Sequence, residues 1–385
     1  MKKLRNLGAL VLVMALLAGC TGNGGSGDDN FYIGIIVASG ANALVGQYTQ
    51  NGANMAADEI NAAGGILGRQ VVLVIGDEID SLQASVDATN ALLFNDDLSA
   101  IVGSMYSQFA LGAMPRVYET GIPFFAQGSS SGISNEGNPY VWQVRPIDTF
   151  QGLAIAEFAV NVMGVQNPAI MFSTQHTFAS LAEQTIVALQ DLGVTITDAN
   201  RFGFPEEETN YLPYFAQILA GDFDAIIAMA NQMPSALIME HAVIAGVDPQ
   251  QMPLIGSTSF GSNVAITTAG ASSNYWYSIT DWVPGGHTPA GRAFEDAYVA
   301  RFGEPSDLPA VIWYDAIMLI RHAAEAAGST DRDAINNALH DIRNFPGAMG
   351  YFSYFPDQVF STALNITRNM DQQVTLIEGI TFREP

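Results

Sequence analysis

Gly128-Ser129-Ser130-Ser131-Gly132 fits G-x-S-x-G, the spacing at which a strand-to-helix elbow exposes a nucleophilic serine beside an oxyanion hole. An apolar strand-like run precedes it, so acyl hydrolysis by Ser130 is the first chemistry to weigh. The elbow must turn directly into a helix. Here "ISNEGNPY" follows, which reads as a Gly/Asn/Pro loop, with the next strand beginning near Tyr140. His176, His241, His287, His322 and His340 are the available bases, and none sits in a segment suited to that role. A metal site finds no support, since Cys20 is the single cysteine and no H-E-x-x-H occurs. Gly22-x-Gly24-x-x-Gly27 matches the dinucleotide-binding fingerprint by letter, but it lacks the strand before and the helix after that would place a phosphate on a helix N-terminus. Asn365-Ile366-Thr367 is a glycosylation sequon by spelling alone. The expectation is a non-enzymatic chain with no cofactor and no metal.

These residues must be positioned by an alternating set of elements. "FYIGIIVA" (31–38) is a continuous apolar run, expected of a strand buried on both faces. Residues 48–63 have helical spacing, with Ala53, Ala56, Ala57 and Ile60 on one side, and Gly64-Gly65 ends them. A glycine pair there calls for positive φ or close packing. Strands at 71–77 and 100–104 flank a helix at 81–94. The same alternation resumes with strands at 169–172, 194–199, 225–229 and 253–255 and helices at 178–192 and 233–245. Strands separated by helices imply parallel sheets covered on both faces, with ligands bound beyond the carboxyl ends of the strands.

The N-terminus sets the compartment. Lys2, Lys3 and Arg5 precede an apolar run from Leu7 to Leu17, too short to span a bilayer as a mature helix, which makes residues 1–19 a signal peptide. Leu17-Ala18-Gly19-Cys20 resembles the lipobox of bacterial lipoproteins, in which the cysteine sulfur is alkylated by a diacylglyceryl group and becomes the new N-terminus. Residues 20–30 contain Gly, Ser, Asn and Asp in place of apolar side chains and read as a flexible, lipid-anchored tether. About 355 residues follow, enough for two lobes. With 38 acidic against 14 basic residues and a formal charge of -24, the chain repels nucleic acid, which is excluded as a partner.

"NGANMAADEINAAGGILGRQVVLVIGDE" (51–78) closely resembles the first helix and second strand of type I periplasmic binding proteins, nearest to the leucine/isoleucine/valine-binding branch that serves ATP-driven (ABC) importers. "SGANALVGQY", "IVGSMYSQFALGAMPRVYETGIPFFAQGSSS" and "WYDAIMLIRHAAEAAGSTDRDAINNAL" extend the resemblance from about Tyr32 to Glu378. It implies two doubly wound α/β lobes joined by three crossings, near Arg145–Asp148, Thr280–Val283 and Ala348–Tyr351. The first lobe would comprise residues 31–146 plus 283–348, and the second 147–282 plus 349–385. The implied molecule is a monomer on the outer face of the cell membrane, closing on a small-molecule ligand and delivering it to ABC permease subunits. A ligand sensor of the same fold is the alternative.

The resemblance also implies a ligand site. Ser107 occupies the position of a serine that helps hold the ligand carboxylate, at the head of a helix whose free N–H groups favour an anion. Gly128 and Ser130 match a backbone carbonyl and a hydroxyl. Thr177, Phe178, Asn231 and Thr258 fall at loop tips of the second lobe that close over the ligand. One departure affects ligand class. The leucine-type binders place a carboxylate where "IGSTSFG" has Thr258, so the ligand ammonium would lack its partner unless Asp281 or another acid substitutes. Amides, urea-like compounds and simple organic acids gain weight accordingly.

Overall fold

Two separate sheets carry the strands. The computed structural model describes residues 29–40, 43–79, 81–360 and 363–382; Cys20, the signal segment and the Gly22–Gly27 fingerprint lie outside them. The first sheet is built from β1 (Phe31–Val37), α1 (Ala43–Ala62), β2 (Val71–Asp77), α2 (Leu82–Leu93), β3 (Leu98–Val102), α3 (Ser107–Thr120), β4 (Phe124–Ala126), α4 (Ser131–Asn135) and β5 (Val141–Gln143). Its order is β2-β1-β3-β4-β5, with every pairing parallel. Ile33, Ile35 and Val37 fill the core on one face, while Ile36, Ile101 and Phe124 fill the core on the other. That two-sided burial is why β1 is apolar throughout.

The chain then leaves through α5 (Asp148–Glu157) into β6 (Pro168–Ser173), α6 (His176–Asp191), β7 (Arg201–Phe204), α7 (Leu212–Ala220), β8 (Ala225–Met229), α8 (Gln232–Ala245), β9 (Leu254–Gly256), α9 (Asn263–Ala269) and β10 (Tyr277–Thr280). It returns with α10 (Pro289–Phe302), α11 (Leu308–Ala327), α12 (Arg332–Leu339) and a small hairpin, β11 (Phe345–Pro346) and β12 (Tyr351–Phe352). Val311, Ile312, Trp313 and Ile317 of α11 complete the core over β1. A last passage delivers β13 (Ala363–Met370) and β14 (Gln373–Thr381), giving a seven-stranded sheet ordered β14-β13-β10-β9-β8-β6-β7.

The second sheet is mixed rather than wholly parallel, because β13 runs antiparallel to both β10 and β14. Asp371 and Gln372, at φ 52° and 60°, turn β13 straight back into β14, and so short a connection permits only antiparallel pairing. Two other expectations need correction. The strand expected at 194–199 forms at Arg201–Phe204, after a turn in which Thr197 and Asn200 cap each other's backbone. "ISNEGNPY" begins as α4, capped by the Ser130 hydroxyl accepting from the Gly132 N–H. Gly64 and Gly65 do adopt positive φ, 104° and 80°, and a Cβ on Gly65 would stand 2.0 Å from the Arg69 carbonyl oxygen.

Buried carboxylates sit at the first two passages between the sheets and in the core of the first body. Arg145, just after β5, donates from Nε and Nη2 to Asp281, just after β10, at 2.7 and 3.2 Å. Both side chains are nearly inaccessible. Asp148 lies fully buried beside them, and burial raises its carboxyl above the ordinary carboxylate range. The Ser180 and Ser129 hydroxyls and the Arg145 charge act in the opposite direction without overcoming it. In the first body, Asp315 of α11 accepts from the backbone N–H groups of Ala348 and Met349 at 2.7 and 2.8 Å. Burial nevertheless raises its pKa to about 7.

Candidate ligand cleft

The carboxyl ends of strands from both sheets converge on one cavity. Met105 and Tyr106 follow β3, Ser129 follows β4 and Arg145 follows β5 on the first side. On the second side, Thr177 and Phe178 follow β6, Asn231 follows β8, Ser257 to Ser259 follow β9 and Trp282 follows β10. Gln151, Leu181, Asp307 and Leu308 complete the part of the wall that matters here. Side chains tie the two sides together. The Thr177 hydroxyl donates to Gln108 Oε1 at 3.2 Å, and the hydroxyls of Ser131 and Thr149 pair at 2.8 Å. The Asn263 amide donates to the Ser306 carbonyl. The cavity holds about 60 Å³, room for about four to six water-sized spheres, which suits a small molecule rather than a chain.

The expected site residues divide into two groups. Thr177, Phe178, Asn231 and Thr258 line the cavity. Phe178 serves the core of the second sheet as well as the wall. Asn231 Nδ2 is committed to Gln175 Oε1 and Glu206 Oε1, at 3.2 and 2.5 Å, and Thr258 Oγ1 donates to the Ile279 carbonyl at 3.0 Å. Ser107, Gly128 and Ser130 are not brought into the lining, which takes Ser129 instead. Ser107 Oγ accepts from the Ser130 N–H at 3.1 Å, and Gln143 Nε2 donates to the carbonyls of Gly128 and Ser130 at 2.8 and 3.3 Å. A Cβ on Gly128 would come within 2.6 Å of Ser107 Oγ, so the loop closes on that serine only with glycine there. Ser130 Oγ caps α4 and lies 3.4 Å from Ser180 Oγ. Its hydrogen-bond partners are thus a backbone amide and a second hydroxyl, an arrangement that positions a loop rather than activating a nucleophile.

Arg145, Gln151, Ser257, Trp282 and Asp307 are wall residues that the sequence reading did not single out as ligand contacts. Asp281, considered above as a replacement acid, has its carboxylate occupied by Arg145. The acid on the wall is Asp307, at the N-cap of α11, which accepts from the Leu308 N–H at 2.7 Å and the Val264 N–H at 3.4 Å. Burial raises its pKa to about 6 against those two bonds. Asp307 precedes Leu-Pro and could have been read as a helix cap, but nothing local tells that the cap faces a cleft.

Two residues of the lining, Ser257 and Trp282, each carry a polar atom that nothing among the described residues pairs with. Trp282 Nε1 and Ser257 Oγ are buried and have no hydrogen-bond partner among the described residues. Ser257 precedes a short 3₁₀ turn without capping it. Arg145 binds Asp281 through Nε and Nη2, which leaves Nη1 without a hydrogen bond among those residues.

Two α/β bodies with one cavity at their facing strand ends define a protein suited to binding a small molecule. A family model described as periplasmic binding protein matches residues 31–372, and the chain belongs to that family. It is 26% identical over 334 residues to Leu/Ile/Val-binding protein homolog 8 of Brucella melitensis, covering 81% of each chain. Among solved structures it is similar to the leucine-binding protein LivK of Thermotoga maritima (TM-score 0.83, 22% identity, covering 91% of this chain and 99% of the other). It is equally similar to a Rhodopseudomonas palustris solute-binding protein in complex with 4-hydroxybenzoate (TM-score 0.83, 19% identity, covering 92% and 97%). Among the described residues, no helix is long and apolar enough to cross a membrane, and no His/Cys/Asp/Glu group has the makings of a metal site.

Proposed function

We propose that this chain is the extracytoplasmic substrate-binding protein of an ABC importer, capturing a small polar ligand between its two lobes and presenting it to a membrane permease. The lobes are residues 31–146 plus 283–348 and 147–282 plus 349–385, and the ligand is an amino acid, an amide or a short organic acid. Cys20 carries the lipid that keeps the protein beside its permease. The observation that carries the reading is the cavity at the strand ends of both sheets, lined by side chains from each. The named relatives and structural neighbours, among them a leucine-binding protein and a complex with 4-hydroxybenzoate, support the same class.

Thr177, Phe178, Asn231 and Thr258 contact the ligand from the second lobe. Ser107, Gly128 and Ser130 hold the loop that offers Ser129 from the first. A thermal-shift screen of amino acids, amides, ureas and carboxylates tests the reading. A true ligand at a hundred times its dissociation constant stabilises the protein by about 2.7 kcal/mol, and a broad screen with no hit contradicts it. In cells, Cys20→Ser should move the protein from the membrane to the soluble fraction.

A further inference from the structure

The N-terminus of α9 belongs to the second body, between β9 and β10, but it is seated on the first. Val264 packs against the core that β1 and α11 build. Beside it, the Asn263 amide donates to the Ser306 carbonyl, and the Val264 N–H donates to Asp307 Oδ2 at 3.4 Å. Ser306 is held on the first body by Glu295 of α10, which accepts its N–H at 3.2 Å and also its hydroxyl. Asp307 Oδ1 accepts the Leu308 N–H at 2.7 Å and so caps α11. Asn263 and Val264 thus form a plug, with Ser306 and Asp307 its socket, and opening the cleft must part them. Asp307 is nearly inaccessible while they are joined, yet it stands on the cavity lining, so parting them brings water to its carboxyl.

We propose that this plug and socket is the latch of the closed cleft, and that closing it places a proton from solvent on the Asp307 carboxyl. The proposal rests on the binding-protein reading and adds a control on release: the hold on the ligand is strongest in mildly acidic surroundings. The neighbouring charges set the sign. The plug helix, Asn263–Ala269, carries no titratable side chain. The groups that act on Asp307 from the other elements are Glu295 and the Tyr298 phenol of α10 and the Tyr48 phenol of α1, none of them a cation. Burial, helped by the Glu295 charge, outweighs the Leu308, Val264 and Asn263 donors and raises the carboxyl to about 6. In the open cleft, water returns it toward the ordinary carboxylate range, and the N-terminus of α11 favours the ionised form. A carboxyl whose pKa is higher closed than open favours the closed form below its open value. That advantage is lost as pH rises through about 6.

Calorimetric titration with the strongest hit of the thermal-shift screen, at pH 5 and pH 8 in buffers of contrasting ionisation enthalpy, reads affinity and proton uptake together. Wild-type protein should bind roughly tenfold tighter at pH 5 than at pH 8 and take up most of a proton at pH 5. Asp307→Asn is neutral at every pH and can still cap α11. It should bind at pH 8 about as tightly as wild type does at pH 5, without that uptake. Comparing the two proteins cancels any proton exchanged by the probe itself or by Asp148 and Asp315. Asn263→Ala lies outside the cavity lining and removes the side-chain bond of the plug. It should weaken binding by roughly threefold or more at both pH values and leave the melting temperature of the empty protein unchanged. Equal pH dependence and equal uptake in wild type and Asp307→Asn overturn the proton's part. Weaker binding by Asp307→Asn at both pH values makes Asp307 a ligand contact and overturns it as well. A lower melting temperature for empty Asn263→Ala, with unaltered affinity, makes the contact a fixed brace and not a latch. Each of these results leaves the binding-protein reading standing, which a screen with no hit removes.

Discussion

The serines at the two rims of the cleft have opposite circumstances. On the first lobe, Ser107 sits inside a finished network: its hydroxyl receives the Ser130 N–H, Gly128 packs on it, and Gln143 ties down two carbonyls of the same loop. On the second, Ser257 is equally buried, holds the same kind of position at a strand end, and has no side-chain partner among the described residues. One hydroxyl shapes a wall and the other is uncommitted. The difference teaches that position beyond a strand end is not sufficient to name a contact, because the local hydrogen-bond inventory decides whether a polar group is available.

The hinge belongs with the finished side, and breaking it should have the largest effect. Asp281→Asn leaves Arg145 buried with an uncompensated charge and should destabilise the protein by about 3–5 kcal/mol in denaturant titration. Replacing both partners, Arg145→Met with Asp281→Leu, should restore part of that loss. Should the single variant cost no more than an exposed ion pair, the pair is not the clamp between the first two passages.

Asp315, in the core of the first body, sharpens the contrast through pH. Asp315 is satisfied by two backbone donors yet has a pKa raised to about 7 by burial. A carboxyl raised in the folded state stabilises the fold while protonated, so its contribution is full below about pH 4 and is lost as pH climbs through about 7. The melting temperature should therefore fall over that window by an amount worth on the order of 2–4 kcal/mol, and Asp315→Asn should flatten that part of the profile. An unaltered profile in the variant would assign the dependence to other groups, Asp307 and Asp148 first.

Gly128→Ala probes the finished network directly. Its Cβ would meet Ser107 Oγ, Cα and N at 2.6 to 2.9 Å, so the loop must shift at a cost of about 1–3 kcal/mol. Because that loop carries Ser129 to the cavity, affinity should fall too, by a smaller factor than stability implies.

Much of this arrangement was legible in the sequence. The apolar runs and the glycine pair located β1, α1 and β2 closely, because burial on both faces leaves a continuous signal and positive φ selects glycine. Strand β7 was displaced because Val194 to Ala199 alternates like a strand, while pairing with β6 begins only at Arg201. The antiparallel edge depends on a turn at Asp371-Gln372, which lacks the glycine that usually advertises such a hairpin. In the cleft, loop tips such as Thr177, Asn231 and Thr258 could be placed by resemblance. Arg145, Trp282 and Asp307 could not, since their role comes from passages of the chain more than a hundred residues apart meeting at one cavity. Availability of a hydroxyl, which separates Ser107 from Ser257, is a property of neighbours in space and has no local signature.

The most direct test deletes the same atom from each side of the cleft. Ser107→Ala and Ser257→Ala should be compared by melting temperature without ligand and by calorimetric affinity for the strongest hit of the thermal-shift screen. Ser107→Ala should lower stability by about 1–3 kcal/mol, because it orphans the Ser130 N–H, and should reduce affinity only modestly. Ser257→Ala should leave the melting temperature at or slightly above the wild-type value and weaken binding by tenfold or more. The reverse pattern, with Ser107 governing affinity and Ser257 governing stability, would contradict the division of the cleft into a finished wall and an unfinished one.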